Sequence, residues 1–313
     1  MTKFDYKKEL PSLIVTIFNE ALALKDFLTS LERQSLQPGE IIFVDAGSSD
    51  GTQELLKKFI KHSSVPSKLF IKKGNRSVGR NFAVKKSRGD WLAITDAGCI
   101  LDKNWLKELW KKQEETHARV IAGYYRGLAD SAFQEAVIPY FLVMPERLQE
   151  SSFLPATRSM LIEKSLWQEI GGLEERLEYS EDYHLANKLK KKKVKIAFAR
   201  EAIVYWLPAK NIFQFWQKIF GMAKNDVLAA LLRFKVYLIF LRYLIFLTIL
   251  IFFNNIYLIF SLIVLYLLWA IVKNLVYCKK SFFYLPLLQV TSDVAVMLGT
   301  VAGLIQSNFF NKS

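Results

Sequence analysis

Four places in the sequence put acidic or amide side chains where chemistry can be done. Asn19-Glu20 follows the apolar run 13–18 (LIVTIF), Asp45 ends the run 41–45 (IIFVD), and Asp96 follows 91–95 (WLAIT). Glu181-Asp182 opens a helical stretch that runs to Lys192. A carboxylate can take a proton from a reacting hydroxyl, accept hydrogen bonds from a ligand or meet a cation. The plainer roles are turn residue for Asp45 and Asp96, and dipole partner at a helix start for Glu181 and Asp182. Asp50 or Ser49, in the turn 47–51 (GSSDG), reads as a cap for the helix that follows.

These groups need a scaffold, and the pattern supplies one. Short apolar runs at 13–18, 41–45, 69–72, 91–95 and 120–124 alternate with helical stretches at about 22–33, 52–60, 76–86 and 105–115. That alternation predicts an α/β fold built on one sheet. Open sheets of this kind bind nucleotides beyond the carboxyl ends of their strands, which is where Asn19-Glu20, Asp45 and Asp96 fall. Neither G-x-x-x-x-G-K-[ST] nor G-x-G-x-x-G occurs, so phosphates must be met by cationic side chains, helix ends or a metal.

The chain has 313 residues and a net charge of +14, of which +10 lies before Val236 and +4 after it. Only six charged residues follow position 235, so the charged part ends there and a different solvent begins. A basic balance beside a membrane segment favours anionic lipid and phosphorylated substrates over nucleic acid. Cys99 and Cys278 are too far apart in sequence to suggest a disulfide framework or a zinc site. His62, His117 and His184 read as surface residues, the run 190–193 as a solvated helix end, and Trp206 as core or as a stacking platform. The opening MTKFDYKKEL carries no apolar run, which predicts no cleavable signal and a cytosolic N-terminal domain.

Residues 13–20 (LIVTIFNE), 44–52 (VDAGSSDGT), Arg80-Asn81, 95–98 (TDAG) and 180–182 (SED) occur in the order seen in family 2 glycosyltransferases. Over about residues 11–226 the chain resembles a membrane-anchored bacterial or archaeal-type member with a GT-A fold. The resemblance implies an inverting transfer from a nucleotide-sugar donor to a lipid-linked or surface-glycan acceptor. It places Phe18, Asn19, Glu20 and Asp45 at the nucleobase or ribose, and Arg80 and Asn81 near the nucleotide or donor sugar. Asp96 matches the first acid of the family's D-x-D motif, expected at ribose or metal. Asp182 matches the catalytic base, with Glu181 positioning it or touching the acceptor.

Two departures qualify this picture. The second D-x-D acid is Gly98, so a divalent cation (Mg or Mn) would depend on Asp96, the diphosphate and another residue, or would be dispensed with. The Q-x-x-R-W signature of processive synthases is not matched by residues 214–218 (QFWQK), although Lys218 or Lys224 could meet the donor diphosphate. A processive polysaccharide synthase and a catalytically silent nucleotide-sugar binding protein are the competing readings; keeping all four acids argues against silence.

The division expected is a GT-A domain over 1–209, an amphipathic interface helix over 210–235 and a membrane domain over 236–313. Spans are expected at about 236–253, 256–272 and, weakened by Gln289, Ser292 and Asp293, at 282–305. Lys273, Lys279 and Lys280 flank the second loop, while Asn254-Asn255 separates the first two runs without a lysine. The positive-inside rule then puts that loop and the large domain on the cytosolic side of the cell membrane. A carboxylate at mid-bilayer seldom faces lipid. Asp293 is therefore expected to pair with Arg242, to face a second protomer in a homo-oligomer, or to lie in a segment that does not cross.

Overall fold

The computed structural model describes residues 10–150, 153–253 and 255–310. The N-terminal nine residues, Asn254 and Ser313, on which parts of the signal and topology expectations rest, lie outside them. The chain divides into two compact units. One comprises Met1–Arg126 and Leu148–Leu207, the other Gly127–Arg147 and Pro208–Ser313.

The first unit is a mixed α/β sheet in the GT-A manner. Its strands are β1 (Ser12–Ile17), β2 (Glu40–Asp45), β3 (Ser67–Ile71), β4 (Trp91–Asp96), β5 (Cys99–Leu101), β6 (Val120–Gly127), β7 (Ser159–Glu163) and β8 (Ile196–Trp206). They lie in the order β3-β2-β1-β4-β7-β6-β8-β5. The first four are parallel, whereas β7 runs antiparallel to both β4 and β6. The four strands expected first in the parallel half are present; β5, β7 and β8 were not legible, for reasons taken up below.

Helices α1 (Ala21–Glu32), α2 (Thr52–His62), α3 (Arg76–Lys86) and α4 (Trp105–Thr116) connect these strands. Strand side chains alternate between two layers. Leu13, Val15, Phe43 and Ala93 pack with Leu24, Phe27 and Leu56. Ile14, Ile42, Leu92 and Ile94 pack with Ala83, Val84 and Trp167 on the other face. Both faces of the parallel half are covered, which is why its strands read as unbroken apolar runs.

The second unit is helical. It contains α5 (Ala132–Phe141), within the stretch read as part of the first domain, and α8 (Ile212–Leu228), α9 (Phe234–Phe252), α10 (Ile256–Asn274) and α11 (Leu285–Phe310). The boundary therefore differs from a single 1–209 block. α5 packs with the turn that precedes α11: Phe133 stacks edge-on against Tyr284 with ring centres 5.4 Å apart, and Ser281 Oγ donates to Glu135 Oε2 at 2.8 Å. The polar stripe expected along α8 is also only partly exposed, because Gly221 and Asn225 are buried. A Cβ at Gly299 would sit 2.4 Å from the Phe220 carbonyl oxygen, and one at Gly303 2.7 Å from that of Lys224. This small-x-x-x-small stripe brings the α11 and α8 backbones together.

The spans Phe234–Phe252, Ile256–Asn274 and Phe282–Ser307 are long and apolar enough to cross a membrane. Asn255 caps α10, its side chain accepting from the Tyr257 and Leu258 amides. Of the three accounts of Asp293, the structure shows the pairing. Its Oδ2 is ion-paired with Arg242 and accepts from Tyr266 at 2.6 Å, while Gln289 donates to Oδ1 at 3.0 Å. One carboxylate thus ties α9, α10 and α11. Removing one member of a buried ion pair typically costs about 3–5 kcal/mol. Arg242→Leu and Asp293→Leu should each lower the melting temperature of detergent-purified protein, and the double change should recover part of the loss. Strictly additive losses would show that the pair does not act as a unit.

Candidate active site

The chain leaves β1 to one side for β2 and β3, then returns to its other side as β4. Ligand crevices form at such a switch point, beyond the carboxyl ends of the strands.

The loop after β2 is organised from within by Asp45. This side chain is fully buried, and its Oδ2 accepts from the Gly47 and Ser48 amides, both at 2.9 Å, and from Gln53 Nε2 at 2.8 Å. Ser48 Oγ donates to its other oxygen. In this structure Asp45 shapes the loop. Asn19, in the left-handed region at φ 52°, accepts from the Ser49 amide at 3.0 Å, and its own amide donates to Ser48 Oγ at 2.8 Å. Asp50 does not act as a simple cap: Gly51 occupies the cap position, and the Asp50 carboxylate bridges the amides of Thr52 and Ala21 at 3.2 and 3.0 Å. The loops after β1 and β2 are therefore one hydrogen-bonded unit, with Phe18 exposed at its edge.

The charged centre is built on α3. Asn75 caps this helix, accepting from the Val78 amide at 3.1 Å. Gly79 lets it lie close on the sheet, since a Cβ there would meet Thr16 Cγ2 at 2.9 Å. The neighbouring Arg80 is in consequence 1% exposed. Its Nη2 meets Asp96 Oδ1 at 2.5 Å and its Nη1 meets Glu181 Oε1 at 3.0 Å. Asn81 turns elsewhere, donating to the Leu173 carbonyl at 2.9 Å and to Glu175 at 3.0 Å, so it holds the 173–175 loop.

Ser180, at φ 62°, makes the turn that starts α7 (Glu181–Lys191) and brings Glu181 and Asp182 to this centre. Asp182 Oδ1 accepts from the Thr157 amide at 3.1 Å and from Thr157 Oγ1 at 2.5 Å. Backbone strain at a non-glycine residue concentrates where the surroundings enforce it, commonly at functional sites.

Charge state follows from these neighbours. Burial works to raise the Asp96 carboxyl, but the charges of Arg80, Arg76 and Arg158 overcome it and hold the group at about 2. Glu181 goes the other way: burial, and then the charge of Asp182, push it above the ordinary carboxylate range against Arg80 and Arg76. Burial also lifts the Cys99 thiol to about 12, so it stays a neutral, unreactive core group.

Asp96, Arg80, Glu181 and Asp182 are thus brought together, as their motif order suggested. Lys218 and Lys224 lie on α8 in the helical unit. Sequence reasoning missed Arg76 and Arg158. Arg76 could have been found, because it lies one helical turn before Arg80. Arg158 could not, since its place depends on pairing between β4 and β7.

A parallel half-sheet with guanidinium and carboxylate groups gathered at its strand ends, continued by an antiparallel half, is the layout of the GT-A fold. The model of Glycosyl transferase family 2 matches residues 12–169, just over half of the chain, and the chain belongs to that family. It is 28% identical over 124 residues to glycosyltransferase GlyG of Streptococcus pneumoniae, a match covering 39% of this chain and 41% of the relative. It is 25% identical over 133 residues to the cholesterol galactosyltransferase of Borreliella burgdorferi, covering 41% and 37%. The matched part is thus less than half the length of either relative. The fold resembles that of mannosyltransferase PcManGT from Pyrobaculum calidifontis in complex with GDP-Man and Mn2+. That likeness has a TM-score of 0.72 at 15% identity, over 95% of this chain and 87% of that one. TarS 1–349 of S. aureus in complex with UDP gives a TM-score of 0.50 at 17% identity, over 69% and 65%.

The residues present do not fit an ion gripped by two D-x-D acids. Gly98 has no ligand atom on its side chain, and Asp96 is already paired with Arg80. Among the described residues, no group of three or more His, Cys, Asp or Glu could hold a metal. The space a side chain at 98 would enter borders the Glu20 carboxylate, whose Oε1 lies 3.5 Å from that Cβ position.

The depressed carboxyl of Asp96 has a pH consequence. A group held below its ordinary value of 3.8 contributes stability fully above that pH and loses it as pH falls towards 2. Between pH 4.5 and 2.5 the melting temperature of the wild type should therefore fall more than that of Asp96→Asn. Parallel curves would show that the carboxylate is not stabilised by its arginines.

Proposed function

We propose that this glycosyltransferase moves a sugar, with inversion, from a nucleoside diphosphate donor to a hydroxyl of a lipid-linked or surface-glycan acceptor. The observation that carries the reading is the setting of Asp182. Two hydrogen bonds from Thr157 both land on Oδ1 and fix the orientation of the carboxylate. It stands next to Glu181, which Arg80 ties to Asp96. A carboxylate held through one oxygen, with its orientation set, suits a general base.

The acceptor hydroxyl gives its proton to Asp182 Oδ2 as its oxygen bonds to the sugar C1. The C1–O bond to the diphosphate breaks on the opposite face, and its electron pair leaves with the nucleoside diphosphate. A single displacement of this kind inverts C1. The loops after β1 and β2, tied by Asn19 and Asp45, form the nucleoside end of the crevice. The nucleotides in the Pyrobaculum and S. aureus structures support a nucleotide donor.

The reaction takes place at the cytosolic face of a membrane that the three apolar helices cross, with the Lys279-Lys280 loop on the same side. This topology rests on the lysines and the lysine-free Asn turn. It also explains the exposed apolar surface of α9 and α10, where Leu244, Ile245, Phe260 and Leu265 are open in the protein alone.

Asp182→Asn should keep donor affinity within about threefold and lower turnover by about 10²–10⁴. Released nucleotide from a panel of nucleotide sugars, with calorimetry in parallel, measures both. Unchanged turnover would remove Asp182 as the base. A reporter fused at Lys279 should report the cytosol, and an external signal would reverse the topology.

A further inference from the structure

Leaving-group departure builds negative charge on the diphosphate, and something must meet it. Gly98 removes the acid that would hold a metal in the D-x-D manner, and Arg80 is 1% exposed with both Nη atoms committed to Asp96 and Glu181. We propose that Arg158 is the cation that meets the donor diphosphate in this enzyme. The inference rests on the donor reading above and adds a residue to it.

Its position is dictated by strand register. β7 pairs antiparallel with β4, with Ser159 opposite Thr95. Arg158 directly precedes this last paired residue, which brings it to the carboxyl end of β4 beside Asp96, where the crevice lies. Arg158 Nε lies 3.9 Å from Asp96 Oδ2. That is an ion pair by charge but too long for a hydrogen bond. Nε has no hydrogen-bond partner among the described residues. The guanidinium is instead held by two aromatic faces, its Cζ 5.3 Å from the Tyr125 ring centre and 5.0 Å from that of Trp206.

Stacking of this kind fixes the plane of a guanidinium without consuming its N–H edge. The side chain remains 23% exposed. A planar cation held in this way is suited to two phosphate oxygens at once. The residue before it, Thr157, grips Asp182. The segment 157–158 therefore sets the base and the counter-charge by adjacent residues, so that both ends of the displacement are positioned by one turn. The aromatic platform also accounts for Trp206, which sits under the guanidinium at the end of β8.

The test uses full-length protein in detergent and calorimetry with UDP, GDP, ADP, CDP and dTDP, each beside its nucleoside. Measurements are made in EDTA and again with Mn2+. At least one diphosphate should bind the wild type in EDTA. Arg158→Ala should weaken that diphosphate by about ten- to hundredfold, the usual loss for a charged hydrogen bond. Its nucleoside should be affected less than twofold. Arg158→Lys should recover part of the loss.

If Arg158 served only to balance Asp96, its removal would have no effect in an Asp96→Asn background. A diphosphate contact predicts that the loss persists there. Diphosphate affinity within twofold of wild type in a folded Arg158→Ala, judged by an unchanged melting temperature, would overturn the proposal. So would binding that needs Mn2+ and ignores Arg158. If no diphosphate bound the wild type under either condition, the donor reading itself would fall, and this assignment with it.

Discussion

A guanidinium sealed inside a protein cannot stand alone, and Arg80 shows what that demands. Desolvating one ion costs several kcal/mol unless partners with good geometry surround it. Asp96 at the end of β4 and Glu181 at the start of α7 meet that demand from positions 16 and 101 residues away in sequence. Because both must reach one buried group, the end of the parallel half-sheet and the start of α7 are fixed relative to each other. Asp182 follows Glu181 directly, so the proposed base is placed by its neighbour's ion pair before it makes any bond of its own. Thr157 then selects which of its oxygens is held.

The same requirement sorts the charges into roles. Asp96 is pinned as an anion by three arginines, while Glu181 is pushed towards the neutral form by burial and by Asp182. Two carboxyl groups joined by one arginine therefore differ in charge behaviour because one lies among cations and the other beside an anion. Arg158 belongs to the rim of this arrangement. The faces of Tyr125 and Trp206 hold its guanidinium in place beside the Arg80 centre.

The helical unit meets the problem again among helices long and apolar enough to cross a membrane. Asp293 is 1% exposed in a helix otherwise suited to lipid, and Arg242, Tyr266 and Gln289 converge on it. Where apolar packing gives little preference between one helix and another, a satisfied polar group specifies which helices meet. The glycines at 299 and 303 specify where α8 lies on α11.

Much of this was legible from the residues in order. The apolar runs at 13–18, 41–45 and 91–95 had to be buried strands, and the acids that end them had to fall at one edge of a sheet. Gly98 announced the missing acid, and two long apolar runs, the first carrying Arg242, announced helices able to cross a membrane. Local spacing carries such information because strands and helices have fixed periods. It does not carry pairing. β5 is three residues long, β7 begins after an irregular stretch, and β8 contains Arg200 and Glu201, so none shows a clean period. The place of Arg158 beside Asp96 depends on the β4–β7 register. The turning inward of Asp45 depends on a loop closing over its carboxylate, and Asn81's reach to residues 173–175 on packing 92 residues apart. Long-range register and burial are decided only when the whole chain must satisfy its buried charges at once, and that is what the tertiary structure added.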